Sequence, residues 1–347
     1  MYVDAKKLYD FSVKCFNQAG MSSEDAKTVT DTMIVADSRG IHSHGFLRLP
    51  IYIERIKKGF ITTDTEMEVV KDQNSISVLD GKFAAGQVVG KKAMETSIEK
   101  ARETGMGLSV VRNSNHFGIA AYYASMAAEQ NMIGIAISNV EPLMPAIGGA
   151  EKIIGNNPIA IAAPSKEGEN PIVLDMALSN VPLGKILVAS TKGESIPEGW
   201  GVDRKGEPTT DPNDVKDGGF LYPVGGPKGF GLALLTEILT GVISDGQYSK
   251  NIPSMYNLEE KQSISHFMLA IDVSVFLGPE NYAEKIENVI SFVKDSKKAP
   301  GVEETFLPGE IEFKREEANK DQGVPMSEEV FAQLLKLSGE VNIPLNV

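Results

Sequence analysis

The 347-residue chain has a single cysteine, a single tryptophan and only four histidines. One cysteine cannot form an internal disulfide, and Cys15 fits a reducing compartment. No uninterrupted apolar run reaches the ~18 residues of a membrane-spanning helix. The opening Met1-Tyr2-Val3-Asp4-Ala5-Lys6-Lys7 lacks the apolar block of a secretory signal. A cytoplasmic protein without a membrane partner is therefore expected. Positive charge is also scarce: 34 Lys and Arg stand against 47 Asp and Glu, a net charge of −13. That field repels a nucleic-acid backbone, although a few cations in a cleft can still hold a small anion. A dinucleotide fingerprint is missing as well, since no Gly-x-Gly-x-x-Gly follows a strand-like run. Gly81-Lys82-Phe83-Ala84-Ala85-Gly86-Gln87 has phosphate-loop spacing without the Lys-Ser/Thr that would hold a phosphate. Any nucleotide must be bound by an unusual fold.

What remains is an ordinary soluble composition, long enough for more than one lobe. Residues 4–60 read as helices, with Asp4 and Ser22 as caps and Gly20 and Gly59 as stops. From Ser75 the pattern becomes β-α-β: a strand at Ile76–Leu79, a helix from Gln87 to Thr104 and a strand at Gly107–Val111. Short apolar strands are expected at 133–138, 159–163 and 172–174, and a helix, strand and helix at 228–243, 266–271 and 280–294. Residues 190–222, rich in Gly, Pro, Asp and Thr, read as a long ordered loop. The expected architecture is α/β with a mixed sheet, an N-terminal helical segment and two discontinuous lobes. Residues 1–72, 119–222 and 299–347 would form a larger helical, substrate-binding lobe, and residues 73–118 and 223–298 an α/β cofactor-binding lobe.

Three of the four histidines lie in polar turns. His42 and His44 flank Ser43 between Arg39 and Arg48, and His116 sits in Asn115-His116-Phe117-Gly118. His-x-His is a weak metal signal without a nearby cysteine or carboxylate at ligand spacing, so no metal is assigned. Histidine suits proton transfer near neutral pH, and Glu141 or Asp175, each just after a strand, could orient it. Glu141 is the better placed of the two. Arg48, four residues after His44, could grip a carboxylate in two hydrogen bonds or simply be a solvated helix charge. Gly225-Gly226-Pro227-Lys228-Gly229-Phe230-Gly231 brings free N–H groups and a cation to a helix start, which suits an anion but also suits close packing.

Taken in order, six motifs resemble the malate/L-lactate dehydrogenase family of the non-Rossmann type, which includes ureidoglycolate and sulfolactate dehydrogenases. They are Asp37-Ser38-Arg39-Gly40-Ile41-His42-Ser43-His44-Gly45, Asn115-His116-Phe117-Gly118, Gly155-Asn156-Asn157-Pro158, Leu174-Asp175-Met176-Ala177, Gly226-Pro227-Lys228-Gly229-Phe230-Gly231 and Leu307-Pro308-Gly309-Glu310. The resemblance implies a homodimer that moves a hydride between a small anionic 2-hydroxy acid and NAD or NADP, with NAD favoured. By position it implies that His116 is the proton acceptor and that Ser43 and His44 stand at the reacting carbon. It also implies cofactor contacts from Val140, Asp175, Met176, Ala177, Lys228, Pro308, Gly309 and Glu310. Glu141 would orient His116 or meet a polar substrate tail. It occupies a position that is aspartate in ureidoglycolate dehydrogenases, and together with Ser195-Ile196-Pro197 and Ser254-Met255-Tyr256 this tilts the likeness toward that branch. Alternatives are reduction of a cyclic imino acid or a diketo sugar acid on the same scaffold, or a nucleotide-sensing module without turnover.

Overall fold

The computed structural model describes residues 1–346. The capping residues act as their types require. Asp4 accepts from the Lys7 N–H and Ser22 from the Asp25 N–H, opening the helices Ala5–Gln18 and Ser23–Ser38. These pack with Leu49–Lys57 and the C-terminal helix Glu328–Val341 around Leu8, Phe11, Phe16, Met33, Phe46, Leu49, Ile53, Leu334 and Leu337. A short ladder of Tyr2–Val3 with Val324–Pro325 ties the two ends of the chain into this helical cluster.

One mixed sheet of seven strands carries the rest. Its spatial order is Glu68–Gln73, Ile76–Asp80, Met106–Ser114, Ile264–Asp272, Met132–Ser138, Ile159–Ala163, Ile172–Met176. Only Ile76–Asp80 and Met106–Ser114 run parallel, joined through the helix Gly86–Thr104 as the expected β-α-β unit. Every other neighbouring pair is antiparallel. With one parallel pair there is no doubly wound switch point, which explains why no glycine fingerprint follows a strand. The helices Gly86–Thr104 and Ala120–Ala128 cover one face through Val89, Ala93, Met94, Ile98, Tyr123, Ala124 and Ala127. The small side chains of Ala120–Ala128 let this helix lie close to Met132–Ser138.

The sheet crosses the lobe boundaries expected from sequence. Ile264–Asp272 pairs with Met106–Ser114 on one side and with Met132–Ser138 on the other. Residues 119–222 thereby contribute three strands to the sheet built by 73–118 and 223–298, because a strand left in a separate lobe would have exposed a row of unpaired backbone groups. The expected loop 190–222 also holds structure: strands Gly201–Val202, Pro208–Thr209 and Phe220–Leu221 form a small sheet beside the helix Pro212–Lys216. They bury Val215 and Leu221 in a third core with Met144, Ile154, Leu178 and Ile186. The helix expected at 228–243 is α-helical over Pro227–Glu237 and continues as a π-turn over Ile238–Val242.

Candidate active site

A buried carboxylate shapes the turn that holds the first two histidines. Asp37 Oδ1 meets His42 Nδ1 at 2.9 Å, and Oδ2 accepts from the Phe46 N–H at 2.8 Å. A Cβ at Gly45 would sit 2.1 Å from that carboxylate, so only glycine lets the chain close over it. Two short 3₁₀ turns, His42–His44 and Phe46–Arg48, lead into the helix Leu49–Lys57. Phe46 and Leu49 enter the core, while Ser43, His44 and Arg48 line a cavity of about 580 Å³. His42 is diverted to Asp37, whose carboxylate holds the imidazole above its usual pKa. Among the described residues no group of three His, Cys, Asp or Glu is placed to hold a metal.

His116 reaches the same cavity from the end of Met106–Ser114. The Asn115 amide donates to the carbonyls of Phe83 and Ala84 at 2.9 and 3.0 Å, and the His116 N–H donates to Gln262 Oε1 at 3.2 Å. The ring stacks on His44 with centroids 5.3 Å apart. Its Nδ1 lies 2.7 Å from the Tyr52 hydroxyl, which leaves Nε2 without a protein hydrogen-bond partner among the described residues. Burial pushes the His116 pKa well below the ordinary histidine value, and the nearby His44 and Arg48 add to the effect. Burial and Arg48 bring His44 down to about 4. Both rings are therefore neutral at pH 7. His266, by contrast, is structural: it is fully buried, stacked on Phe117 at 4.6 Å, and bonded to Ser138 and Ser114 through its two ring nitrogens.

The cavity gathers Val140, Glu141, Asp175, Ala177, Pro308 and Gly309 around these groups. Asp175 opens onto the cavity and accepts from the Ala121 N–H at 2.8 Å, at the start of the helix Ala120–Ala128, where a negative charge is favoured. Desolvation raises its carboxyl to about 6 against the opposing pull of the Ala121 N–H and Arg39. Glu141 does not touch His116. It accepts from Ser254 Oγ at 3.1 Å, and burial raises its pKa against the opposing pull of Ser254 and Arg48. The group that orients His116 is Tyr52, which the sequence reading missed. Its spacing, four residues after Arg48 on one helix, was the available signal.

Three other expected residues stand apart. Met176 points into the third core, as strand alternation requires between Asp175 and Ala177. Glu310 accepts from the Leu307 N–H and pairs with Lys294 and Lys314. Burial works against ionisation there, but these partners bring its carboxyl down to about 2. Lys228 is exposed at the start of its helix, outside the cavity of its own chain. The buried link behind Val140 was also missed. Asn157 Oδ1 accepts from the Val140 N–H at 3.0 Å, while its amide donates to Glu237 at 3.1 Å, fixing the strand exit to the helix Pro227–Glu237.

Residues 3–335 match the family profile described as malate/L-lactate dehydrogenase. A malate dehydrogenase of Pyrococcus abyssi is 43% identical, over 97% of this chain and 94% of its own length. The solved sulfolactate dehydrogenase of Methanocaldococcus jannaschii superposes with a TM-score of 0.93 at 38% identity, covering 99% of this chain and 98% of that one. The NAD(+) ureidoglycolate dehydrogenase of Escherichia coli K12 is 31% identical over 96% of this chain and 95% of its own, so overall identity does not follow the tilt expected from Glu141. The sheet order, the paired histidine turns and these matches along nearly the whole chain lead to one assignment: this protein belongs to the malate/L-lactate dehydrogenase family.

Proposed function

We propose that the chain transfers a hydride reversibly between a small 2-hydroxy acid and NAD or NADP. One observation carries this reading: His116, with Nδ1 engaged by Tyr52 and Nε2 without a protein partner among the described residues, shares a single cavity with Ser43, His44 and Arg48, and burial lowers its pKa. The cavity fits a dinucleotide in size, at about 580 Å³. It fits in surface too. Gly309 adopts φ +83°, and a Cβ there would stand 2.8 Å from the Val173 carbonyl, so only glycine lets this turn lie against the strand Ile172–Met176 where Pro308, Val140 and Ala177 line the cavity. Bound there, the dinucleotide supplies the acceptor or donor of the hydride.

The protein handles the proton. As the C–H electron pair leaves the substrate and the carbonyl forms, His116 Nε2 accepts the hydroxyl proton. This requires the tautomer in which Nδ1–H donates to the Tyr52 oxygen, and that same bond stabilises the imidazolium as it develops. Ser43 and His44, joined by a 2.8 Å Oγ–Nδ1 contact, hold the reacting oxygen. Arg48 holds the carboxylate. In the reverse direction His116 returns the proton to the developing alkoxide. The related enzymes named for malate, sulfolactate and ureidoglycolate share a 2-hydroxy acid group, and that shared part is the substrate class proposed here.

The protein is further proposed to act as a cytoplasmic homodimer. Support for the dimer comes from the helix Pro227–Glu237 and its π-turn, which expose Leu232, Leu235, Leu239 and Val242 together. The screen that tests the activity pairs each cofactor with malate, lactate, sulfolactate and ureidoglycolate and follows reduced-nicotinamide absorbance. At least one 2-hydroxy acid reacts, and prolonged chelation leaves the rate intact. No turnover with any pair, or a rate that chelation abolishes and zinc restores, defeats the reading.

A further inference from the structure

Arg48 has five N–H hydrogens, and their partners can be counted. Nε donates to the Ser43 carbonyl at 2.7 Å. Nη1 reaches Met255 Sδ at 3.3 Å and also donates to the Tyr256 hydroxyl. Among the described residues no carboxylate pairs with the guanidinium, and Nη2 has no protein hydrogen bond. A substrate carboxylate arriving at Arg48 therefore finds one free nitrogen, Nη2, rather than a two-nitrogen fork. It still needs a second donor.

The Tyr256 hydroxyl is in position to be that donor. Its oxygen accepts from Arg48, so its own proton is uncommitted, and the residue lines the cavity beside Arg48 and Glu141. The loop on either side is anchored. Arg55, only 1% exposed, donates to the carbonyls of Met255, Asn257 and Glu260 at 2.9, 2.7 and 3.2 Å. Ser254 Oγ is fixed to Glu141. Between these anchors the Tyr256 side chain itself remains 62% exposed, free to turn its hydroxyl toward a ligand.

We propose that Tyr256 is a specificity residue whose O–H donates to the substrate carboxylate alongside Arg48 Nη2, so that an Arg–Tyr pair, and not an arginine fork alone, selects the acid. This inference rests on the 2-hydroxy acid reading above. Tyr256→Phe removes only the hydroxyl from an exposed ring, so the variant folds. It is compared with wild type and Arg48→Lys on the best 2-hydroxy acid and on its neutral amide. The expected result is a KM for the acid raised about 10- to 50-fold with kcat within about threefold, and an amide KM that hardly moves. An unchanged acid KM in Tyr256→Phe, while Arg48→Lys raises it, overturns the role of Tyr256 and leaves the 2-hydroxy acid reading standing. An equal rise for acid and amide overturns it as well, because the ring or loop and not the carboxylate is then the cause. If wild type turns over no 2-hydroxy acid, both fall together.

Discussion

Replacing Tyr52 by phenylalanine isolates the least conspicuous part of the proposed proton relay. The Tyr52 hydroxyl lies 2.7 Å from His116 Nδ1, and among the described residues the only other group at that nitrogen is the Gly118 N–H at 3.4 Å. Gly118 can only donate. Without the hydroxyl, the surroundings therefore favour a bare Nδ1 and a protonated Nε2, the tautomer that cannot accept a proton from substrate. The imidazolium formed during oxidation also loses a charge-assisted hydrogen bond, about 1.5 to 3 kcal/mol, which corresponds to roughly 10- to 150-fold in kcat. Stopped-flow and steady-state absorbance of the reduced cofactor, over a range of pH, measure it. We expect kcat for oxidation to fall within that range, with cofactor affinity changed less than about threefold. The pH profile adds a second test. Because burial holds His116 low, wild-type kcat/KM for oxidation stays level as pH falls through the ordinary histidine range and drops only below it. A Tyr52→Phe enzyme with wild-type kcat would refute the assignment of Tyr52 as the orienting group.

Glu141→Gln removes a half-buried carboxylate from the cavity wall. At roughly 10 Å and an effective dielectric of about 20, its repulsion of a second substrate anion is ~1.7 kcal/mol. The ratio of kcat/KM for malate to that for lactate should rise about 10- to 20-fold, and an unchanged ratio removes Glu141 from specificity. Lys228→Ala is expected to weaken the cofactor by roughly 1 to 3 kcal/mol in the proposed dimer, where a second copy would bring this exposed residue to a cofactor. A dimer with an unchanged Kd takes Lys228 out of the site. His266, buried neutral with its pKa down at about 3 through desolvation, contributes stability that is complete above the unfolded value of 6.5 and lost as pH falls below it. The destabilisation caused by His266→Gln should therefore shrink by about 2 kcal/mol between pH 6.5 and pH 5 in urea melts. A gap that stays constant refutes the neutral buried ring.

Local chemistry made much of this legible in the sequence. Capping residues and helical spacing located the N-terminal helices, and the β-α-β unit around Gly86–Thr104 followed from the change of period. The two histidine turns stood out because polar residues there could not serve a core. Strand partners were not legible for a different reason: pairing between Ile264–Asp272 and Met132–Ser138 joins segments more than a hundred residues apart, and no local signal specifies such a partner. Tyr52 was hidden because a tyrosine at helical spacing among Leu49, Ile53 and Ile56 looks like core packing. Only the tertiary placement of His116 over its hydroxyl gives it a role. The contact of Tyr256 with Arg48 and the role of Arg55 were hidden for the same reason, since one closes on a residue two hundred positions away and the other anchors a distant loop through backbone carbonyls that sequence does not distinguish.

The role proposed for His116, taking the proton as the hydride leaves, is tested by single-turnover oxidation of the best 2-hydroxy acid by wild type and His116→Gln at saturating cofactor, followed as reduced-nicotinamide absorbance. The variant is expected to bind cofactor as wild type does and to lose about two to four orders of magnitude in the rate of the hydride step. A near-normal rate in His116→Gln would contradict it.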